Sequence, residues 1–194
     1  MISIITIGRE FGSGGREIGL KLAEQLGCSF FDKEIINEAA KRSSINRELF
    51  ERFDEKALGS PLYSMVMRVS NDPVAQPLAL RIQKAYAETI YELAKEPCII
   101  IGRSADYLLR DCKNRLSFFI TANQKNRIER ICERHQTTAG EAEKMIVKQD
   151  KIRASYYNCM TGNVWGMAAN YDFCLSSSYY GIEPTVEIMK QIIQ

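Results

Sequence analysis

Short apolar runs alternate with longer amphipathic stretches along the whole chain. The first run, Ile2–Ile7, is continuous and rich in β-branched residues, as expected of a strand that is buried on both faces. Four more runs are predicted to be strands: Ser29–Phe31, Cys98–Ile101, Leu116–Thr121 and Phe173–Ser176. Between the strands, apolar residues recur at helical spacing. Strands separated by helices predict a parallel sheet that is covered on both faces, so the expected fold class is α/β.

The ends of several helices carry recognisable signals. The apolar stripe over Ile18–Leu26 predicts a helix that ends at Gly27. Asp32 is placed to cap the next helix, and the pattern over residues 33–95 is helical throughout, apart from two short breaks. Further helices are predicted over Asn123–Arg134, from Thr138 (with Glu141 as its capping-box partner) through about Lys151, and over Ile182–Ile193.

Composition and charge narrow the function classes. A length of 194 residues is typical of one domain, and 45% hydrophobic with 26% charged residues is typical of a soluble globular protein. The net charge of +2 does not favour a nucleic acid polymer as partner. No apolar run approaches the ~20 residues of a membrane span, and no signal peptide begins the chain, so a cytoplasmic location is expected. One histidine and no C-x-x-C pair predict no metal site built by the protein itself.

The glycine-rich turn after the first strand is the most informative segment. It leads from a strand into a helix, where backbone N–H groups and the helix dipole favour an anion. Glycines there let the backbone approach phosphate oxygens closely, although a tight turn alone would also explain them. The run Gly-Ser-Gly-Gly directly before an arginine favours phosphate binding. The predicted phosphate-binding residues are Gly12, Ser13, Gly14, Gly15, Arg16 and Glu17.

This turn departs from the P-loop pattern G-x-x-x-x-G-K-[ST]. The turn has no lysine: Arg16 is the nearest cation, and Glu17 stands where a hydroxyl that binds Mg²⁺ is expected. In an ungapped alignment Gly15 takes the place of the lysine, with Arg16 one residue later. The β/γ-phosphates still require a cation, because their oxygens gain charge during transfer. The prediction is that Arg16 takes over the work of the lysine through its longer, forked guanidinium group.

A dehydrogenase is a distant alternative. Gly8-x-x-x-Gly12-x-Gly14 has the glycine spacing of short-chain dehydrogenases, and Tyr91 with Lys95 supplies their Tyr-x-x-x-Lys. Those enzymes place this pair after more strands than precede it here. They also carry a serine about a dozen residues upstream of the tyrosine, where this chain has Pro77-Leu-Ala-Leu80.

Clustered cations in the second half of the chain favour phosphoryl transfer. Arg127, Arg130 and Arg134 fall at i, i+3 and i+7, so they share one face of a helix. Asp150 and Arg153 follow on the next helix. Phosphoryl-transfer enzymes need fixed cations around the transferred group. A solvated basic face is the alternative, but after a phosphate-binding loop the functional interpretation is favoured.

Taken in order, these motifs resemble the nucleoside monophosphate kinases, and most closely the cytidylate kinase-like family. The resemblance rests on the glycine-rich loop and on Ile101–Arg103, Phe119–Ala122, Asn126–Arg130, Asp150–Ala154, Tyr171–Asp172 and Ser176–Ser177. It implies a single P-loop kinase domain, a three-layer α/β sandwich around five parallel strands. The core would comprise residues 1–36 and 96–194, with a helical substrate-binding insertion over about 37–95 and a lid over about 134–165.

The resemblance also implies an activity and its residues. The protein would use ATP with Mg²⁺ to phosphorylate a nucleoside monophosphate, with CMP or dCMP as the first candidates. The residues implied to be catalytic are Arg16, Arg127, Arg130 and Arg153, and those implied to bind the acceptor are Asp32, Arg103, Asp106, Asp150 and Ser176. Ser104 and Ser176 replace aspartates of the family pattern, which leaves the base specificity open. A nucleotide-binding protein without kinase activity and a kinase with a small non-nucleotide acceptor are the alternatives, and the oligomeric state is open.

Overall fold

Strands and helices alternate along the part of the chain that the structure describes. The structure is a computed structural model, and it describes residues 2–48, 50 and 78–193. The first half contains β1 (Ile4–Arg9), α1 (Gly15–Leu26), β2 (Ser29–Phe31), α2 (Glu34–Ser43) and α3 (Leu78–Leu93). The second half contains β3 (Cys98–Ile101), α4 (Ala105–Leu108), β4 (Arg115–Thr121), α5 (Gln124–His135), α6 (Ala139–Thr161), a 3₁₀ turn (Ala168–Asn170), β5 (Phe173–Ser176), α7 (Ser177–Tyr180) and α8 (Ile182–Ile193).

The five strands form one parallel sheet with β1 in its centre. The strand order is β2-β3-β1-β4-β5, and every neighbouring pair is parallel. The predicted α/β class and the five predicted strands are therefore confirmed. β1 begins and ends two positions later than the run Ile2–Ile7, because its pairing with β4 continues through Gly8 opposite Phe119 and Arg9 opposite Ile120.

Helices cover both faces of this sheet, which produces three layers. On one face α1 and α8 pack against alternate strand residues such as Ile5 and Ile99. On the other face α2, α3 and α4 pack against Ile4 and Ile100. Near β4, this second face is covered by aromatic residues. Phe119 of β4 packs against Tyr157 of α6 and against Trp165 and Tyr171, which follow α6 in the chain.

Two capping predictions have different outcomes. The capping box of Thr138 and Glu141 at the start of α6 is confirmed. Asp32 does not cap α2, whose N-cap is Lys33 and lacks a side-chain hydrogen bond. The carboxylate of Asp32 instead forms ion pairs with two arginines that are distant in sequence, and these charge-assisted contacts outcompete a local cap.

The division into core, insertion and lid stays a prediction. Nearly half of the predicted insertion, residues 49 and 51–77, lies outside the described residues. The helix predicted to run through about Lys151 continues to Thr161, and Gly162 ends it in the left-handed conformation. Among the described residues, no helix combines the length and apolar character that crossing a membrane would require.

Candidate active site

The loop between β1 and α1 is shaped by glycines in the left-handed conformation. Gly12 and Gly14 both have φ near 80°, a region that other residues rarely adopt. A Cβ at Gly12 would also lie 2.9 Å from the backbone oxygen of Arg127. Gly14 is the N-cap of α1 and has no side chain to cap the helix, while the N–H of Gly15 donates to the hydroxyl of Ser13 at 3.3 Å, within the loop itself. This is the arrangement that binds phosphate at a helix N-terminus.

Arg127 holds this loop from behind. Its Nε donates a hydrogen bond to the backbone oxygen of Phe11 at 2.7 Å, and its Nη1 lies 3.3 Å from a carboxylate oxygen of Glu10. Its Nη2 pairs with Asp150, whose other oxygen accepts a hydrogen bond from the backbone N–H of Phe11 at 2.8 Å. Only 8% of Arg127 is exposed. Arg127 and Asp150 therefore clamp the backbone of the loop.

A second brace links the loop to the start of α7. The Nη1 of Arg130 donates to the backbone oxygen of Gly12 at 3.3 Å and to the hydroxyl of Ser177 at 3.0 Å. The Ser177 hydroxyl donates in turn to the backbone oxygen of Ser13 at 2.6 Å. The loop backbone is thus held on both sides by side chains from later elements.

The loop opens into a large cleft with an excess of positive charge. The cleft has a volume of about 1070 Å³, which is at the upper end of the range for small-molecule sites. Its basic lining residues are Arg9, Arg16, Lys33, Arg103, Arg134, Lys148 and Arg153, and its acidic ones are Glu10, Glu17, Asp32 and Asp106. A cleft lined by an excess of one charge attracts ligands of the opposite charge. The cleft is therefore suited to phosphate-bearing ligands.

Asp32 organises two of the cations in this cleft. Its carboxylate is 2.8 Å from Nε of Arg16 and 3.5 Å from Nη2 of Arg9, and only 5% of the residue is exposed. The guanidinium of Arg16 also lies over the ring of Phe30, with 5.6 Å to the ring centroid. A buried carboxylate of this kind requires cationic partners, and here the partners are two of the arginines that face the loop.

The turn after β3 is strained. Gly102, Arg103 and Ser104 are all left-handed, with φ of 71°, 56° and 52°. For residues other than glycine this conformation costs roughly 1–2 kcal/mol each. The guanidinium of Arg103 lies over the ring of Tyr86, and the buried hydroxyl of Ser104 has no hydrogen-bond partner among the described residues. Strain and unsatisfied polar groups of this kind concentrate where proteins bind ligands.

A buried acid lies beside this turn. Asp106 is 7% exposed and accepts a hydrogen bond from the hydroxyl of Tyr157 at 2.7 Å. Burial raises the pKa of the Asp106 carboxyl, while the Tyr157 hydrogen bond and the charge of Arg115 oppose the rise. Burial also raises the pKa of Tyr157, so this hydroxyl remains a donor. The pair links α4 to α6 across the cleft wall.

The predicted site residues fall into two groups. Those that line the cleft are Gly12, Gly14, Gly15, Arg16, Glu17, Asp32, Arg103, Asp106 and Arg153. Ser13, Arg127, Arg130, Asp150 and Ser176 do not belong to its lining. Ser176 lies at the end of β5 and precedes α7, and it is half-buried. Arg153 reaches the loop by donating to the backbone oxygen of Arg9 at 3.0 Å.

Sequence reasoning missed several residues of the cleft. Arg9 lies at the carboxyl end of the central strand, the edge where parallel sheets bind ligands. Its position after the first predicted strand could therefore have been used to predict it as a cleft residue. Lys148, Tyr156 and Trp165 line the cleft because α6 and the segment after it turn over the sheet. No local pattern marks them.

The pair that suggested a dehydrogenase lies elsewhere. The Tyr91 hydroxyl donates to the backbone oxygen of Leu108 at 3.1 Å, and Lys95 pairs with Glu92 at 2.7 Å. Neither residue of the pair lines the cleft. Tyr91 therefore lies on the surface of α3, and Lys95 lies just after the end of that helix; both make local contacts outside the cleft.

Comparisons with known proteins agree on family and fold. The family model described as the cytidylate kinase-like family matches residues 4–179. A search of the curated proteins found no match. A solved structure described as an uncharacterized protein from Eubacterium ventriosum ATCC 27560 is 31% identical, with a TM-score of 0.76, and the match covers 100% of this chain and 98% of that chain.

Two shikimate kinases share the architecture at low sequence identity. The enzyme from Bacteroides thetaiotaomicron is 13% identical with a TM-score of 0.57, and the match covers 100% of this chain and 99% of that one. The enzyme from Acinetobacter baumannii, solved in complex with shikimate, is 12% identical with a TM-score of 0.54, and the match covers 100% of this chain and 93% of that one. At these identities they show the fold alone, which is that of the P-loop kinases.

Replacing Asp150 with alanine should destabilise the protein. Asp150→Ala removes the carboxylate that pairs with Arg127 and accepts from the N–H of Phe11. We expect a loss of about 2–3 kcal/mol in the free energy of unfolding, less than the roughly 3–5 kcal/mol for a fully buried pair. Urea denaturation measures it. Asp111→Ala, at an exposed carboxylate, is the matched control and should leave the midpoint unchanged. Equal midpoints for the two variants would show that the clamp does not stabilise the fold.

The raised pKa of Asp106 predicts a pH-dependent difference in stability. A carboxyl whose folded-state pKa is raised contributes stability below its ordinary value of 3.8, and this contribution is lost as the pH rises through the folded-state value. The stability of the wild type relative to Asp106→Asn should therefore fall as the pH increases above the ordinary carboxyl pKa of 3.8. Urea denaturation at several pH values tests this. Tyr157→Phe, which removes the hydroxyl that favours the carboxylate, should extend the decline to higher pH. A difference that stays constant or grows with pH would contradict the prediction.

Proposed function

Because the chain belongs to the cytidylate kinase-like family, we propose that it transfers the γ-phosphate of ATP to a nucleoside monophosphate, with CMP or dCMP as the acceptor. The observation that carries this proposal is the loop between β1 and α1. Its left-handed glycines and the first turn of α1 line a cleft in which, among the described residues, cations outnumber carboxylates. These are the requirements of a site for a polyphosphate.

The residues present fit the phosphates of ATP. Gly12, Gly14 and Gly15 line the cleft and carry no side chain that would keep a phosphate from the backbone of the loop. Among the described residues no group of three or more His, Cys, Asp or Glu side chains could hold a metal ion. Mg²⁺ would therefore arrive with the nucleotide, where it neutralises phosphate charge when bound.

The cations of the cleft have distinct roles in this proposal. Arg103, in the turn after β3, would bind the phosphate of the monophosphate, while Arg153 lies beside the loop and would stabilise the charge on the transferred group. The bond from the γ-phosphorus to the β–γ bridging oxygen breaks, and a bond to a phosphate oxygen of the acceptor forms. Arg127 and Arg130 contribute by holding the loop.

A kinase with a small alcohol as acceptor is the second candidate. The buried carboxyl of Asp106 supports it, since a carboxylate in the cleft could accept the proton of an attacking hydroxyl group. A monophosphate acceptor, whose phosphate oxygen is already ionised, needs no such base. The shikimate kinase from Acinetobacter baumannii binds an alcohol of this kind in its solved complex, so shikimate belongs in the acceptor panel.

An assay of ADP release with ATP, Mg²⁺ and a panel of acceptors tests the proposal. We expect CMP and dCMP to give the highest kcat/KM among CMP, dCMP, UMP, AMP, GMP and shikimate. Arg103→Ala should raise KM for the acceptor far more than KM for ATP, because in this proposal Arg103 binds the phosphate of the acceptor. Arg110→Ala, an exposed arginine outside the cleft lining, is the matched control and should leave both values unchanged.

Three outcomes would contradict this function. Turnover with shikimate alone would favour the small-alcohol acceptor. No turnover with any acceptor, while ATP at 100 times its Kd still adds ~2.7 kcal/mol to stability, would favour a nucleotide-binding protein without catalysis. Equal rates with all the monophosphates would remove CMP and dCMP as the specific acceptors.

A further inference from the structure

The space that a side chain at position 15 would enter is already occupied. A Cβ at Gly15 would lie 2.7 Å from the Cβ of Arg9, 3.3 Å from its Cγ and 3.1 Å from the Cβ of Ile120. Two of these atoms are attached directly to the backbone and cannot swing aside. The position where a P-loop carries its lysine is therefore closed to any side chain as long as Arg9 is present.

The side chain of Arg9 places its charge inside the cleft. It begins at the carboxyl end of β1, and its Nη2 lies 3.5 Å from the Asp32 carboxylate with 18% of the side chain exposed. Its Nη1 occupies the place that a Cβ at Gly102 would take, so the guanidinium lies across the end of β3. Arg9 therefore needs two glycines, Gly15 beside its stem and Gly102 beneath its charged end.

Arg16 is held in a different way. Its Nε is 2.8 Å from Asp32, its guanidinium lies over Phe30, and half of its side chain is exposed. This contact with Asp32 is shorter than the 3.5 Å contact that Arg9 makes with the same carboxylate. Arg16 is thus the stronger partner of Asp32, and Arg9 is the arginine whose stem lies against Gly15, the position of the missing lysine.

We propose that Arg9 is the cation that binds the β- and γ-phosphates in place of the P-loop lysine, an inference that rests on the proposed function. Its planar guanidinium can donate two parallel hydrogen bonds to phosphate oxygens, which a lysine cannot. Asp32 holds Arg9 at the edge of the sheet until the phosphates bind. In this assignment Arg16 acts as a positioning residue, because its pairing with Asp32 offsets the negative charge of the carboxylate beside Arg9.

An exchange of the two positions tests the assignment. Arg9→Gln keeps the stem against Gly15 and removes the charge, and Arg9→Gly/Gly15→Lys moves a cation to the usual lysine position. Arg9→Gly/Gly15→Ala is the matched control, since it fills the same space without a charge. Isothermal titration calorimetry with ATP and with inorganic tripolyphosphate measures phosphate binding independently of turnover, and thermal melting measures folding.

We expect phosphate affinity to be lost in one variant and restored in another. Arg9→Gln should bind tripolyphosphate and ATP about 10–100-fold more weakly, as expected for a lost charged hydrogen bond. Its melting temperature should fall only slightly, because Arg16 still pairs with Asp32. Arg9→Gly/Gly15→Lys should regain most of this affinity, while Arg9→Gly/Gly15→Ala should not. Gly15→Lys alone should lower the melting temperature, because Arg9 still fills the space. Arg110→Ala should match the wild type.

Each contrary result has a definite meaning. Wild-type affinity in Arg9→Gln, or equal affinities for the lysine and alanine exchange variants, would overturn the assignment. A 10–100-fold loss in Arg16→Ala with none in Arg9→Gln would give the role to Arg16. If the expected losses and rescue occur but no acceptor is phosphorylated, the assignment of Arg9 stands and the kinase function fails. If the wild type binds neither ATP nor tripolyphosphate, both fail.

Discussion

The clamp that Arg127 forms behind the glycine-rich loop is the interaction on which the rest of the site depends. A loop of glycines is flexible by itself, since glycine loses more conformational entropy on folding than any other residue. Arg127 offsets this by bonding to the backbone oxygen of Phe11 and by pairing with Glu10 and Asp150. Because these contacts come from α5 and α6, the loop acquires its shape only when the second half of the chain has folded over the first.

Contacts between elements that are distant in sequence also fix the charged side chains of the cleft. Cations that are to bind phosphate must be held apart without being neutralised, and here they are fixed mainly through backbone oxygens, aromatic rings and shared carboxylates. Arg153 bonds to the backbone oxygen of Arg9, and Arg103 lies over the ring of Tyr86. Asp32 is shared between Arg9 and Arg16. An excess of positive charge therefore persists where a polyphosphate would bind.

Local sequence patterns predicted the elements well and the contacts between them poorly. β3 and β5 have the predicted bounds, because each is a short apolar run with clear breaks on both sides. The spacing of Arg127 and Arg130 correctly placed both on one helix face, but spacing alone does not say whether that face meets a ligand or the back of a loop. Asp32 was wrongly predicted to cap α2, and Arg9 was not predicted to line the cleft. In both cases the contacts that decide the position of the side chain come from residues distant in sequence.

A crystal structure with a non-hydrolysable ATP analogue and Mg²⁺ would test the central claim most directly. The account predicts that the β- and γ-phosphates lie within hydrogen-bond distance of the backbone N–H groups of residues 12–16, with the guanidinium of Arg9 in contact with at least one of their oxygens. A triphosphate bound elsewhere in the cleft, or bound to the loop with Arg9 still paired only with Asp32, would contradict it.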